Sequence, residues 1–212
     1  GEPIEFHILM THLHWDHALA LPFLAPLYDP SNHFTFYGRD VGGMDIEEAI
    51  DRVMRPPWFP VNFRSTPASK KFRSISEESF SVDGFLVTPR VLHHPDGVLA
   101  YRIQQGAASL VIATDVEHGQ SGADDKLLSL AGGADVLVYD AQYLPEEYET
   151  KKRGWGHSTW EEAVKLAKRA EVGQLILTSH DPSRDDDGVN RIVDMAQQIF
   201  PETHAAFEGM RI

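Results

Sequence analysis

The segment THLHWDH at residues 11–17 places four potential metal ligands within six residues. They are His12, His14, Asp16 and His17. The segment follows residues 4–10, an apolar run that is typical of a β-strand. On an extended segment, side chains two residues apart point to the same side, so the first two histidines can face one cation, and the following pair can face a second. Because imidazole and carboxylate groups suit zinc, iron or manganese, the segment predicts a site for two adjacent metals.

The composition excludes several classes of protein. The chain has 212 residues, and its 42% hydrophobic and 24% charged content is ordinary for a globular domain. It has 11 histidines and no cysteine. The absence of cysteine excludes disulfide scaffolds, cysteine-ligated zinc fingers and iron–sulfur proteins, and it fits a cytoplasmic location. The 19 Lys and Arg residues against 32 Asp and Glu residues give a charge of −13, which disfavours a large nucleic acid as partner. No apolar run approaches the roughly 20 residues of a membrane span, so no membrane partner is expected.

Strand patterns alternate with helix patterns along the chain, which indicates an α/β fold. Strands are expected over residues 4–10, 34–37, 84–92, 98–103, 109–113, 134–139, 174–178 and 204–207. Helices are expected over residues 45–54, 124–130, 158–170 and 185–200. Ser158 and Glu161 form an S-x-x-E pattern that predicts a capping box. Residues 55–81 contain four prolines and are expected to be irregular.

The H-x-H-x-D-H pattern resembles the signature of the metallo-β-lactamase superfamily. That pattern continues with a His, an Asp and a late His, each after a strand, and His94, Asp115 and His180 occupy such places here. The resemblance implies two divalent metal ions, with zinc preferred and manganese or iron as alternatives. It implies that one metal is held by His12, His14 and His94, the other by Asp16, His17 and His180, with Asp115 bridging them. The neighbouring His93 leaves the register open, and the family pattern favours His94.

The same resemblance implies the fold and the extent of the domain. The expected fold is a four-layer αβ/βα sandwich, with residues 1–212 as a single metallo-β-lactamase-like domain. In the family several strands precede the signature, whereas only eleven residues precede His12 here. We therefore expect an N-terminally incomplete domain that lacks some of those strands. An exposed sheet edge would favour a homodimer.

A second pair of segments narrows the resemblance. VYDAQY at residues 138–143 and GHST at residues 156–159 are similar to paired motifs of the ribonuclease Z and phosphonate-utilisation phosphodiesterase branch. There a carboxylate supports a histidine that protonates the leaving oxygen. The resemblance assigns these roles to Asp140 and His157, and a nearby carboxylate does keep an imidazole basic beside cations.

These features predict a dinuclear metallohydrolase. The leading hypothesis is a phosphodiesterase for a small anionic substrate, such as a cyclic nucleotide, acting through a hydroxide activated by the metals. Asp16 and Asp115 are expected to orient the hydroxide, and Asp140 and His157 to assist the leaving group. The alternatives are a lactonase or thioesterase on the same site, and a di-iron redox or sensor module.

Overall fold

A computed structural model describes residues 2–212 of the chain. The chain separates into two compact units, the first ending at Ser76 and the second covering Glu77–Ile212. Each unit has its own sheet and its own cluster of buried apolar side chains. The fold is therefore α/β, as the alternating patterns predict. A single domain over residues 1–212 remains a prediction.

The first unit contains a three-stranded parallel sheet in the order β1-β2-β3. Its strands are β1 Glu5–Leu9, β2 His33–Gly38 and β3 Ser69–Ser74. Its helices are α1 Trp15–Ala18 and α2 Ile46–Val53, and short 3₁₀ turns cover Leu21–Phe23, Ala25–Tyr28 and Phe63–Ser65. Helix α2 begins at the expected place because the Asp45 side chain accepts a hydrogen bond from the Glu48 amide at 2.8 Å.

A ladder of aromatic rings holds the first sheet together. Phe6 on β1 stands beside Phe34 on β2, and Phe36 on β2 stands beside Phe72 on β3. The ring centroids of these two pairs are 4.6 and 5.6 Å apart, in stacked geometry. Such cross-strand pairs fix the register of neighbouring strands.

The second unit contains a seven-stranded mixed sheet in the order β10-β9-β8-β7-β6-β5-β4. The strands are β4 Phe80–Val82, β5 Phe85–Leu92, β6 Val98–Gln105, β7 Ala108–Ala113, β8 Val136–Asp140, β9 Gln174–Thr178 and β10 Thr203–Ala205. The helices are α3 Ser121–Ala131, α4 Pro145–Glu147, α5 Trp160–Arg169 and α6 Asp186–Gln197, with a π-helical turn over Tyr148–Lys152.

Strand direction gathers four polar residues at one edge of the second sheet. Strand β6 is antiparallel to both β5 and β7, and β7, β8 and β9 are parallel, so β5 runs in the same direction as those three strands. The residues at or just beyond the carboxyl ends of these four strands are His94, Asp115, Asp140 and His180. Ligands of α/β sheets bind at the edge where strands end in this way.

Two expectations about local structure are wrong. Residues 69–74 form strand β3 instead of an irregular segment. Phe72 packs against the buried cluster of the first unit, and Lys70, on the same face, is half-buried and donates from Nζ to the carbonyl oxygens of Thr66 and Ala68 at 2.6 and 2.7 Å. Helix α5 is capped by Thr159, whose hydroxyl accepts from the Glu162 amide at 3.3 Å. Ser158, the expected cap, is buried, and its hydroxyl is bonded to Tyr139 instead.

Among the described residues, no helix has the length and apolar character needed to cross a membrane.

Matched leucine substitutions test the packing of the second sheet. Leu137 on β8 is fully buried, whereas Leu86 on β5 is 43% exposed. We expect Leu137→Ala to lower the free energy of unfolding by about 2–5 kcal/mol, and Leu86→Ala to lower it by less than about 1 kcal/mol. Urea unfolding followed by circular dichroism measures both, and equal losses would contradict this packing.

Candidate metal centre

Three histidine rings cluster in the first unit. His12 lies in the extended segment after β1, and His14 immediately precedes helix α1, which carries His17. The ring of His12 is 4.5 Å from that of His14 and 4.3 Å from that of His17, measured between centroids. The side chain of Asp16 is 76% exposed, and its Oδ2 atom lies 3.3 Å from Nε2 of His17. The turn into the helix therefore brings the three histidine rings together, and Asp16 contacts its neighbour His17 from an exposed position.

Asp115 occupies a strained position at the edge of the second sheet. It follows β7, is 3% exposed, and has a φ of +54°, a conformation that residues other than glycine adopt rarely and often at functional sites. Its Oδ1 atom accepts a hydrogen bond from the Ser179 hydroxyl at 3.1 Å. Ligand atoms of Asp115, Asp140 and His157 all lie within 4.8 Å of one another, a spacing that could hold a cation.

Asp140 and His157 form a directly bonded pair. Asp140 is fully buried, and its Oδ2 atom is 2.7 Å from His157 Nδ1. Its other oxygen accepts from the backbone amide of Ser158 at 2.8 Å. Burial raises the pKa of Asp140 to about 6, although the hydrogen bond from His157 opposes that rise. Since the carboxylate accepts, His157 carries a proton on Nδ1, and its Nε2 atom is the nitrogen that can serve as an acid toward a substrate.

His94 is held by the backbone of a glycine. Its ring is 6% exposed and its Nδ1 atom is 2.7 Å from the carbonyl oxygen of Gly156. This contact places the proton on Nδ1 and gives Nε2 the lone pair that a metal ligand needs. The alternative residue, His93, has a side chain that is 42% exposed, with Nε2 3.9 Å from a carboxylate oxygen of Glu117. The burial and orientation of His94 agree with the family pattern.

The close approach of Gly156 to His94 leaves no room for a side chain. Gly156 has a φ of +87°, and a Cβ atom there would lie 2.4 Å from His94 Nδ1. Gly154, two residues earlier, has a similar φ of +85° but faces open space. The two glycines thus share a backbone conformation, and only Gly156 presses against a candidate ligand.

His180 is half-buried, and both of its ring nitrogens are shielded from solvent without a well-aligned hydrogen bond within residues 2–212. Burial, followed by the positive charge of Arg184, lowers the pKa of His180 and favours the neutral ring. Ring nitrogens that are shielded from solvent without a well-aligned hydrogen bond are uncommon, and a neutral ring is the form that binds metals. The donor chemistry of His180 therefore fits a metal ligand.

Glu117 is a buried residue of this region that the sequence patterns did not single out. It is 3% exposed, and its Oε1 atom accepts from the Gly154 amide at 2.5 Å and the Tyr148 hydroxyl at 2.9 Å. Its Oε2 atom accepts from the Gly156 amide at 2.9 Å. Burial acts to raise the pKa of Glu117, but these hydrogen bonds outweigh it and hold the pKa below its usual value. Only its position two residues after Asp115 could have drawn attention to it.

The second unit thus combines candidate ligands with a candidate proton donor. His94, Asp115 and His180 supply nitrogen and oxygen donors, which suit zinc and other divalent transition metals. The His157–Asp140 pair stands beside Asp115, with His157 Nδ1 3.5 Å from Asp115 Oδ1. This combination suits hydrolysis in which a departing oxygen needs a proton.

Comparison with known proteins agrees with this chemistry. Residues 3–180 match the family described as the beta-lactamase superfamily domain. The chain is 37% identical to a protein of Citrobacter koseri named Ribonuclease BN, over 95% of this chain and 79% of that protein.

Solved structures share the fold at low sequence identity. The metallo-β-lactamase fold protein YhfI from Bacillus subtilis has a TM-score of 0.74 and 21% identity, covering 96% of this chain and 75% of that one. A diphosphatase from the PhnP family has a TM-score of 0.70 and 20% identity, covering 100% of this chain and 72% of that one. The chain therefore belongs to the metallo-β-lactamase superfamily, the family that the segment around His12 predicts.

Proposed function

We propose that the chain is a dinuclear metal-dependent phosphodiesterase that hydrolyses a small phosphodiester, such as a cyclic nucleotide. Its superfamily indicates a hydrolase. The observation that carries the finer proposal is the 2.7 Å hydrogen bond between His157 Nδ1 and Asp140 Oδ2 beside Asp115. A positioned acid next to a metal ligand is what cleavage of an ester bond with a basic leaving oxygen requires.

Seven residues are proposed to hold two divalent cations, with zinc preferred. The assignment follows the family resemblance: His12, His14 and His94 for one cation, Asp16, His17 and His180 for the other, and Asp115 for both. Three observations support it separately. The imidazoles of the first unit cluster, the Nδ1 atom of His94 is tied to a backbone carbonyl, and the ring nitrogens of His180 are shielded from solvent without a well-aligned hydrogen bond within the described chain.

The protein's own residues have distinct tasks in this reaction. A pair of divalent cations, when bound, supplies Lewis acidity that activates water and offsets charge on the phosphoryl group. Asp16 and Asp115 orient the attacking water through their carboxylate oxygens. His157 delivers a proton from Nε2 to the leaving oxygen, while Asp140 holds the Nδ1 proton and stabilises the charged ring.

RNA is the second candidate substrate, because the Citrobacter koseri relative is named a ribonuclease. The charge of −13 favours the small diester, since affinity for RNA depends on cations that neutralise phosphates. Bound metals would offset only part of this negative charge. Metal-reconstituted protein should therefore be assayed with cyclic nucleotides, a structured RNA and a lactone. Hydrolysis of the lactone alone would refute the phosphodiesterase proposal, and metal analysis after anaerobic purification tests the di-iron alternative.

Ligand substitutions test the metal assignment. We expect His14→Ala and Asp115→Ala each to lose metal and to reduce diester hydrolysis by more than about 100-fold, because removing a ligand costs more than removing its hydrogen-bond partner. His33→Ala is the control, since His33 is an exposed histidine bonded to Ser69. Metal content and turnover measured on the same samples decide the result, and full metal content in both variants would contradict the assignment.

The two glycines of the loop test the role of His94. We expect Gly156→Ala to weaken zinc binding by about 10–100-fold, because its methyl group would collide with the His94 ring and with the adjoining Pro95, and so displace the segment that carries the ligand. Gly154→Ala imposes the same backbone strain without a clash, so its affinity should stay much nearer to that of the unsubstituted protein. Competition with a zinc chelator measures both affinities. Equal weakening would mean that backbone strain, not contact with His94, is responsible.

Leaving-group dependence tests His157 as the acid. We expect His157→Ala to retain metal and to slow hydrolysis of diesters with basic leaving groups by about 10²–10⁴-fold. Diesters with activated leaving groups should be affected far less, because they depart without a proton. Turnover of a matched pair of substrates measures the ratio, and equal slowing of the pair would exclude the acid role.

A further inference from the structure

Glu117 joins three segments of the second unit. Its backbone amide donates to the carbonyl oxygen of His93 at 2.9 Å, which ties it to the segment that carries His94. Its carboxylate accepts from the amides of Gly154 and Gly156 and from the hydroxyl of Tyr148. These contacts use both carboxylate oxygens, so the side chain has a defined orientation.

The hydrogen bond between Glu117 and Gly156 affects both His94, a proposed metal ligand, and His157, the proposed acid. The amide of Gly156 donates to Glu117, and the carbonyl of the same residue accepts from Nδ1 of His94. The next residue is His157, whose ring is 5.4 Å from that of His94, measured between centroids. Holding the Gly156 backbone therefore holds the partner of His94 and the residue that leads into His157.

We propose that Glu117 is a positioning residue that fixes the Gly156 backbone, and through it the orientations of the His94 and His157 rings. This inference rests on the proposed function for its effect on turnover. It needs no contact between Glu117 and substrate. Such supporting hydrogen bonds commonly decide whether a ligand or an acid is correctly aimed.

The arrangement requires a carboxylate specifically. Glu117 accepts backbone N–H groups on both of its oxygens. Glutamine has nearly the same shape, but its amide nitrogen is a donor and would face one of these N–H groups. Glu117→Gln therefore disturbs the loop with little change in packed volume.

The test compares Glu117→Gln with Glu149→Gln. Glu149 lies on the neighbouring π-helical turn, its side chain is 61% exposed, and it pairs with Arg153 at the surface. We expect Glu117→Gln to slow diesters with basic leaving groups about 10–100-fold more than activated diesters, and Glu149→Gln to leave the ratio unchanged. Equal slowing of both diesters by Glu117→Gln, with zinc affinity unchanged, would overturn the proposal, because neither the His157 ring nor the His94 ring would then have been misplaced.

A spectroscopic measurement separates this inference from the proposed function. In zinc-loaded full-length protein, the Nδ1–H protons of His94 and His157 can be followed by NMR. Glu117→Gln should shift both resonances and Glu149→Gln should shift neither; unmoved resonances in Glu117→Gln would overturn the proposal. Protein that hydrolyses no diester but shows these shifts would refute the function and retain the role of Glu117. If Glu117→Gln does not fold, Glu117→Asp, whose shorter side chain also misplaces the oxygens, is judged by the same two criteria.

Discussion

The direction of the strands in the second sheet is the constraint on which its candidate site depends. Because β5, β7, β8 and β9 all run the same way, their carboxyl ends meet along one edge. Each strand delivers one polar residue to that edge, although these residues are up to 86 positions apart in the chain, from His94 to His180. Apolar packing between the sheet and its helices holds the strands in place, so the site inherits its geometry from the core.

Much of this arrangement could be predicted from the sequence, because the relevant residues lie at recognisable strand ends. The apolar runs before Asp115 and His180 identify buried strands, and a polar residue directly after such a run belongs to the sheet edge. The α/β fold and the family around His12 are confirmed, whereas the metal-binding roles remain predictions.

Other features could not be predicted, because they depend on contacts made only in the folded chain. Strand β3 has Phe72 as its one apolar residue, and the half-buried position on the same face is Lys70, so the strand has no apolar alternation to recognise. Thr159 caps α5 because the neighbouring Ser158 is taken into a buried hydrogen-bond network. Glu117 acquires its role from glycines that follow it by more than 35 residues, so no local pattern marks it.

Three carboxylates, Asp115, Glu117 and Asp140, are almost completely buried in the second unit. Concentrated negative charge away from water opposes folding unless cations or hydrogen bonds offset it. If Asp115 binds a cation in the folded state, metal binding is coupled to folding, and the free energy of unfolding rises with metal occupancy. At a free metal concentration 100 times the dissociation constant, such linkage adds about 2.7 kcal/mol to the free energy of unfolding. The shelf life of the purified protein would then depend on the chelators in its buffer, and metal supplied during expression would act as a folding aid.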